Sequence, residues 1–277
     1  MQGKIVKIIS NHFTVEKDNH LYDCMASGNL RKMKNIPLAG DYVEFDENKK
    51  FITKILPRRN ALVRPPVSNV DNAFIVNSVY IPAFSSNLLD KLLCIIEYNN
   101  IKPIICFSKL DMLSNKELEE INVYINYYRK IGYDVYLNNE IDQIKKVFKD
   151  KITVFTGQTG AGKSTLLNKL DSKLNLKTDD VSYALGRGKH TTRHVELIPM
   201  LDGLVADTPG FSSLEFYDMS KESIRDNFIE FNMYREHCKY KDCMHDLEDE
   251  CYIKKLVDDG VILKSRYENY INFIKRV

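Results

Sequence analysis

The residues with the clearest chemistry form a glycine-rich loop between an apolar run at 152–156 and a helix-like segment at 165–170. Such a loop turns consecutive backbone N–H groups toward nucleotide phosphates at the start of a helix, where a lysine reaches the β- and γ-phosphates and a serine hydroxyl ligates Mg²⁺. The alternative is a plain glycine-rich turn, but the strand, loop and helix order favours phosphate binding. The loop pattern G-x-x-x-x-G-K-S and the next residue are Gly157, Gln158, Thr159, Gly160, Ala161, Gly162, Lys163, Ser164 and Thr165.

A second phosphate-related motif, D-T-P-G, begins at Asp207 and follows the apolar run 204–206. Asp207 can hold the Mg²⁺ shell through water, and the N–H of Gly210 can bond a γ-phosphate and so sense its presence. Alone, this motif is a common turn. About forty residues downstream of a phosphate loop, it supports nucleotide binding.

Between these motifs lies the polar segment 186–193, which contains two adjacent threonines. A threonine hydroxyl there can complete the Mg²⁺ coordination when the γ-phosphate is bound, which would make the segment a switch. We favour Thr192 over Thr191 for this role. The alternative is that both hydroxyls are solvated.

The segment from Ser108 to Asp111 resembles the N-K-x-D element with which GTPases read guanine. Asp111 can accept hydrogen bonds from the guanine N1–H and 2-amino group, while the stem of Lys109 covers the base. Adenine lacks this pair of donors, so the motif favours GTP over ATP. Ser108 stands where asparagine is usual, and we expect its shorter side chain to lose some loop-bracing hydrogen bonds.

A cluster of cysteine and histidine residues follows near the carboxyl end, with the spacing C-x₄-C-x-H-x₅-C. Three thiolates and one imidazole complete a tetrahedral Zn²⁺ site with no open position, so the site would be structural. The adjacent His237 competes for the imidazole position, and a chance cluster is the alternative. The four candidate ligands are Cys238, Cys243, His245 and Cys251.

The composition describes a globular protein of 277 residues, 44% hydrophobic and 28% charged. No apolar run approaches the length of a membrane span, and no secretory signal begins the sequence, so we expect a cytoplasmic protein without membrane association. Residues 1–64 contain twelve Lys/Arg and seven Asp/Glu, an excess of five basic residues. This excess favours contact with nucleic acid, or else a solvated basic surface.

The periodicity predicts three regions along the chain. Residues 1–56 alternate short apolar stretches with turns, as in a small antiparallel barrel, for which we choose the oligonucleotide-binding (OB) type. A stiff basic linker at 57–66 follows. From residue 70, strands and helices alternate, which implies a mostly parallel sheet covered by helices. After residue 217 the pattern is helical, with single helices expected at 222–234 and 264–274. The expected domains are 1–64, 65–217 and 218–277.

The base-reading motif precedes the phosphate loop, whereas it ordinarily follows the D-x-x-G motif. With this order and the motifs quoted above, the chain resembles the RsgA (YjeQ) family of circularly permuted ribosome-assembly GTPases over essentially its whole length. The resemblance implies an α/β fold: a circularly permuted P-loop GTPase domain, an N-terminal OB-fold barrel and a C-terminal zinc-binding helical domain. It also selects His245 over His237 as the zinc ligand.

For activity, the resemblance implies hydrolysis of GTP to GDP and phosphate with Mg²⁺, on the small (30S) ribosomal subunit late in its assembly. It suggests His190 as the residue that positions the attacking water, with Lys163 and Thr192 beside the phosphates; His190 could otherwise contact RNA or solvent. Phe211 occupies the place of the usual water-orienting glutamine, so slow turnover stimulated by the subunit is expected. Asn138 is the nearest match to the second base-side loop.

For partners, the resemblance implies rRNA contacts by the barrel and the zinc domain. A monomer is expected, since nothing in the sequence demands a dimer. Two other interpretations stay open. One is an RNA-binding module that is switched by nucleotide and has negligible hydrolysis. The other is a P-loop ATPase or small-molecule kinase, in which Asp111 would have no role in base recognition. The expected phosphate contacts are Arg31, Lys32, Lys34, Arg58, Arg59 and Arg64.

Overall fold

The computed structural model describes residues 1–28, 30, 36–63, 65–172, 174, 194–207, 215–216 and 218–277. Along these residues, a group of amino-terminal strands precedes a sheet with helices on both faces, and a group of short helices ends the chain. This succession confirms the expected fold class.

The amino-terminal strands close into a barrel. They are hydrogen-bonded in the order β1-β2-β3-β5-β4, and β4 returns to pair with β1. Alternate residues point inward, and Ile5, Val15 and Val43 are fully buried. The five-stranded barrel predicted from the alternating pattern is thus confirmed. Its strands are β1 (Gln2–Ile9), β2 (His12–Lys17), β3 (His20–Ala26), β4 (Tyr42–Asp46) and β5 (Phe51–Ile55).

The segment after the barrel, predicted as a stiff basic linker, is attached to the barrel by hydrogen bonds. Arg58 donates two hydrogen bonds, from Nε and Nη2, to the carboxylate of Asp41, each 2.7 Å long. Further along, β6 (Ala61–Leu62) pairs with β7 (Val67–Ser68). The Ser68 hydroxyl also donates to Asp41, at 2.6 Å. Because Asp41 is fully buried, it fastens the segment to the barrel.

The central sheet is mostly parallel, as predicted. Its neighbours run in the order β10-β9-β8-β11-β13 with parallel pairing, and one strand, β12, is antiparallel to β13. The two middle strands, β8 and β11, are buried along their whole length, as expected when helices cover both faces of a sheet. The strands are β8 (Asn72–Ser78), β9 (Lys102–Ser108), β10 (Asp134–Leu137), β11 (Ile152–Thr156), β12 (His194–Met200) and β13 (Gly203–Asp207).

Helices cover the two faces and form separate cores. On one face, α1 and α2 pack on the sheet through side chains that include Leu92 and Ile125; on the other, α3 and α4 bury Ile144 and Leu166. The start of α2 is set by a capping box, in which Ser114 and Glu117 satisfy each other's backbone N–H groups. These helices are α1 (Ser86–Tyr98), α2 (Asn115–Lys130), α3 (Ile141–Lys146) and α4 (Lys163–Leu170).

The strands of the barrel and those of the central sheet form one continuous sheet, which the sequence did not predict. Strand β1 pairs antiparallel with β12, with Lys7 opposite Glu196 and Ile8 opposite Val195. The two strands are about 190 residues apart in sequence, and no local pattern identifies such a partner. Backbone hydrogen bonds therefore join the barrel to the central sheet.

The carboxyl-terminal region contains four short helices, and the single helix expected at 222–234 is wrong. The chain turns at Asn227 and Phe228, where the Asn227 side chain donates to Ser223 O at 2.7 Å and Phe228 has an extended backbone. This turn places Phe228 in the core against Phe231 and Tyr270, at ring distances of 5.2 and 5.3 Å. The helices are α5 (Lys221–Asp226), α6 (Ile229–Tyr234), α7 (Tyr252–Asp258) and α8 (Lys264–Ile274).

Among the described residues, none of the helices has both the length and the apolar character needed to span a membrane.

Candidate functional site

The glycine-rich loop joins β11 to α4 in a conformation that requires its glycines. Gly157, Gly160 and Gly162 have positive φ angles of 130°, 77° and 92°. At Gly157, an added Cβ would approach the Val76 carbonyl oxygen to 2.1 Å, so only glycine fits beside β8. Gly162 then precedes the first residue of α4. The loop therefore leads directly into the N-terminus of α4, which is the arrangement that phosphate binding requires.

Lys163 is held by the loop itself. Its ammonium donates to Gly157 O at 2.8 Å and to Gln158 O at 2.7 Å. An ammonium has three N–H donors, so one remains for a phosphate oxygen. Burial lowers the pKa of Lys163 from its usual value. Ser164 follows Lys163 in the sequence, in the first turn of α4, and it is buried.

Ser108 braces the phosphate loop directly. Ser108 is buried, and its hydroxyl lies 2.6 Å from Ala161 O and 3.3 Å from Asn77 O. One hydroxyl carries one proton, so the shorter contact to the phosphate loop is the main donation. The serine therefore keeps a brace between the base-reading motif and the loop, although we expected its shortness to weaken such bracing.

Lys109 connects three segments of the chain through hydrogen bonds. It has a left-handed backbone, with a φ of 66°. Its ammonium donates to Gly160 O at 2.8 Å in the phosphate loop, and to Ile81 O in the segment after β8. Asp111 follows in a short 3₁₀ turn, Leu110–Met112, and is exposed. Lys109 thus contacts the phosphate loop, and the exposed Asp111 follows it two residues later.

The remaining nucleotide-related residues are partly outside the described structure. The backbone N–H of Asn138 donates to Phe107 O at 2.9 Å, so Asn138 lies beside the strand that carries Ser108. Asp207 ends β13, and the register of Val154 with Ala206 puts that strand end beside the start of the phosphate loop. The predicted residues outside the described ranges are His190, Thr191, Thr192, Gly210 and Phe211.

A second site lies in the carboxyl-terminal region. One ligand atom from each of Cys238, Cys243, His245 and Cys251 falls within 4.8 Å of the others, as the sequence spacing predicted. The His245 Nδ1 atom is 3.7 Å from the Cys238 sulfur and 3.3 Å from the Cys251 sulfur. His237 is not in this group, since its ring packs on Tyr252.

The protonation of this cluster fits a metal site. Burial lowers the pKa of His245 to about 4, which leaves the imidazole neutral and able to bind a metal. Burial also raises the pKa of Cys243 to about 12. Three thiols, two of them buried and that of Cys238 half-buried, form with an imidazole nitrogen a donor set that a soft divalent cation would convert to thiolates. The cluster can therefore hold a metal ion.

The last helix supports the cluster through its tyrosines. The Tyr267 hydroxyl donates to His245 O at 2.7 Å, and the Tyr270 hydroxyl donates to Met244 O. Both tyrosines belong to α8. The loop that carries Cys243 and His245 is thus fixed by hydrogen bonds from α8.

The same helix joins the carboxyl-terminal region to α1 through a buried ionic node, defined by Asp90, Glu230 and Arg266. Arg266 is 1% exposed and donates to Asp90 at 2.7 Å and to Glu230 at 2.7 and 3.0 Å. Tyr128 donates to Asp90 at 2.6 Å and Tyr127 to Glu230 at 3.1 Å. The sequence pattern does not indicate this node, because an arginine on an amphipathic helix is usually exposed.

The basic residues expected to contact RNA are only partly described. Arg58 donates from Nε and Nη2 to Asp41 and to Ile36 O. The Arg59 side chain is 62% exposed, although it also bonds Asp71 at 3.0 Å. The others lie outside the described ranges: Arg31, Lys32, Lys34 and Arg64.

Together, these features define a class. A base-reading motif at the end of β9, followed in sequence by a phosphate loop after β11 and a D-T-P-G motif after β13, is the GTPase arrangement in permuted order. The fold and the site are those of a circularly permuted P-loop GTPase.

Comparison with known proteins places the chain within that class. Residues 55–217 match the family model described as RsgA GTPase, and residues 2–51 match the RsgA N-terminal domain. The chain belongs to the RsgA GTPase family.

Similar curated proteins carry one name. The chain is 48% identical to "Small ribosomal subunit biogenesis GTPase RsgA 1" of Listeria monocytogenes, over 100% of this chain and 97% of that one. It is 45% identical to "Small ribosomal subunit biogenesis GTPase RsgA" of Latilactobacillus sakei, over 98% and 94%. Among solved structures, YloQ, described as a circularly permuted GTPase, matches with a TM-score of 0.83 and 38% identity over 99% of this chain and 94% of that one. YjeQ from Thermotoga maritima matches with a TM-score of 0.84 and 31% identity, over 99% and 97%.

Proposed function

We propose that this protein hydrolyses GTP to GDP and phosphate while bound to the small ribosomal subunit, and assists the late assembly of that subunit. The observation that carries the proposal is the contact of the base-reading motif with the phosphate loop, through Ser108 and Lys109, in a chain of the RsgA family. The names of its relatives support the ribosomal part. A cytoplasmic location, a monomer and contact with rRNA belong to the same proposal.

The proposed roles follow from the motifs and the family resemblance, and for Lys163 also from its hydrogen bonds to the loop. Lys163 binds the β- and γ-phosphates with its remaining N–H donor, and Ser164 ligates Mg²⁺ together with Thr192. Asp111 pairs with the guanine edge, and Asp207 holds the Mg²⁺ shell. His190 positions the attacking water.

We further propose that the cysteine cluster binds one structural Zn²⁺. The donor set of three sulfurs and one imidazole nitrogen favours Zn²⁺ over the hard cations, which prefer oxygen. With four protein ligands, no position is left for a substrate. The proposed domains are 1–64, 65–217 and 218–277.

The test is phosphate release from GTP and from ATP, each with and without purified small ribosomal subunits. Lys163→Ala is the inactive reference, and Lys169→Ala, an exposed lysine on the same helix α4, is the matched control. We expect slow hydrolysis of GTP, strong stimulation by the subunit and little hydrolysis of ATP. Equal use of ATP would exclude the guanine-reading role of Asp111. Binding of GTP without stimulated hydrolysis would favour a nucleotide-switched RNA-binding module.

A finer test addresses the brace at Ser108. Ser108→Ala removes the hydrogen bond to Ala161 O, and we expect the Kd for GDP to rise roughly fivefold, or about 1 kcal/mol. Ser114→Ala, an exposed serine at the start of α2, is the control for a lost hydroxyl outside the site. An unchanged Kd for Ser108→Ala would show that the brace does not stabilise the nucleotide-binding conformation.

A further inference from the structure

The loop between the metal-binding residues Cys243 and Cys251 presents an exposed leucine. The Leu247 side chain is 87% exposed, more than any other large hydrophobic side chain in the described part of the chain. Neither the nucleotide site nor the metal cluster uses it, since the candidate ligand atoms are on its neighbours. A single exposed leucine is ordinary on a flexible segment, so its meaning depends on the loop that carries it.

That loop is closely fixed. The Glu248 carboxylate accepts hydrogen bonds from Met244 N at 2.6 Å and from Asp246 N at 2.9 Å. Lys254 donates to Asp246 O at 3.0 Å. The tyrosines of α8 hold the carbonyl groups of the preceding residues. Leu247 therefore stands on a preorganised turn, and a partner that covers it would lose little conformational entropy.

The charge of the loop indicates the chemistry of that partner. Residues 242–250 include five acidic residues and no lysine or arginine. Glu248 closes the turn and Glu250 pairs with Lys239 at 2.6 Å. Within the described residues, no hydrogen bond or ion pair engages the carboxylates of Asp242, Asp246 and Asp249. Such a surface repels RNA phosphates and attracts basic groups.

We propose that Leu247 and the carboxylates of Asp242, Asp246 and Asp249, here called the acidic leucine loop, dock on a Lys/Arg-rich protein of the small ribosomal subunit. The leucine would fill an apolar recess on that protein, and the carboxylates would face its basic side chains. The proposal rests on the proposed function, because it takes the subunit as the partner. It assigns protein contact to this loop, whereas the net basic residues 1–64 suit RNA.

The test replaces Leu247 with the photo-reactive residue p-benzoylphenylalanine in the full chain. The variant is bound to purified small subunits with a non-hydrolysable GTP analogue and irradiated. Co-sedimentation of the wild-type chain comes first, since failure there would count against the proposed function itself. The same photo-reactive residue at Val123, an exposed apolar position on α2, is the matched control.

We expect the probe at Leu247 to form a covalent adduct with a basic ribosomal protein, identified by mass spectrometry, and the control position to form none with that protein. An adduct with rRNA, an adduct with a second copy of this chain, or no adduct from a variant that co-sediments normally would each overturn the proposal.

A second measurement uses the affinity for the subunit. We expect Leu247→Asp to weaken binding at least tenfold and Asp249→Lys to weaken it about threefold, while GTP hydrolysis by the free protein and the zinc content stay at wild-type values. These two controls separate loss of docking from misfolding of the loop. Wild-type affinity for Leu247→Asp would contradict the proposal.

Discussion

The two ends of the molecule are attached to the central sheet in different ways. The barrel is joined by the pairing of β1 with β12, a ladder of backbone hydrogen bonds. The carboxyl-terminal helices are joined by side chains, with Arg266 between Asp90 of α1 and Glu230 of α6. Any side chain that suits a strand can maintain a ladder, whereas a buried ionic node depends on each of its members. The carboxyl-terminal attachment should therefore be more sensitive to mutation.

The largest effect is expected from loss of the proposed zinc site. In Cys243→Ser, or after chelation, the carboxyl-terminal helices should unfold while the barrel and central sheet remain, because structural zinc contributes about 10–16 kcal/mol to folding in comparable sites. Hydrogen exchange read region by region measures this difference. Lys241→Ser, an exposed neighbour of the cluster, is the control. Full protection of 218–277 in a zinc-free preparation would refute the role of the metal.

The next effect concerns the ionic node. Arg266→Met leaves two buried carboxylates without their cation and should lower the free energy of unfolding by about 3–5 kcal/mol. Urea denaturation followed by circular dichroism is suitable, since the chain has no tryptophan. Lys264→Met, on the same helix with a side chain 82% exposed, should change little.

A combined variant sharpens this comparison. In a background with Asp90→Asn and Glu230→Gln, the cost of Arg266→Met should fall, because the carboxylates that need the arginine are gone. An equal cost in both backgrounds would mean that Arg266 stabilises the interface by packing alone.

The same contrast, between local patterns and contacts distant in sequence, explains which features of the molecule can be predicted from its sequence. The phosphate loop and the cysteine cluster were predictable because each is a local pattern whose chemistry fixes its residue types. The buried ionic node was not predictable, because Arg266 donates to Asp90, and these two residues are separated by 176 positions in the sequence. The break between α5 and α6 was hidden too, since a buried Phe228 fits a helical period as well as a turn. Both features depend on tertiary packing, which a local sequence pattern does not specify.

A moderate effect is expected where the barrel meets the segment that follows it. Arg58→Met removes the guanidinium from the fully buried Asp41, and the free energy of unfolding should fall by about 1.5–3 kcal/mol, the range for hydrogen bonds to charged groups. Arg59→Met is the matched control, since its side chain is 62% exposed and its ion pair is at the surface. If both variants cost the same, the buried pair has no special role in fixing this segment.

The smallest effect is expected at the ladder between β1 and β12. Lys7 and Glu196 form an ion pair of 3.2 Å across it, with side chains 27% and 26% exposed. Lys7→Met should cost less than about 1 kcal/mol, because the pair is partly solvated and the backbone hydrogen bonds remain. A double-mutant cycle with Glu196→Gln, measured by urea denaturation, isolates the pair. A coupling as large as the loss in Arg266→Met would overturn the comparison, because both attachments would then depend on particular side chains.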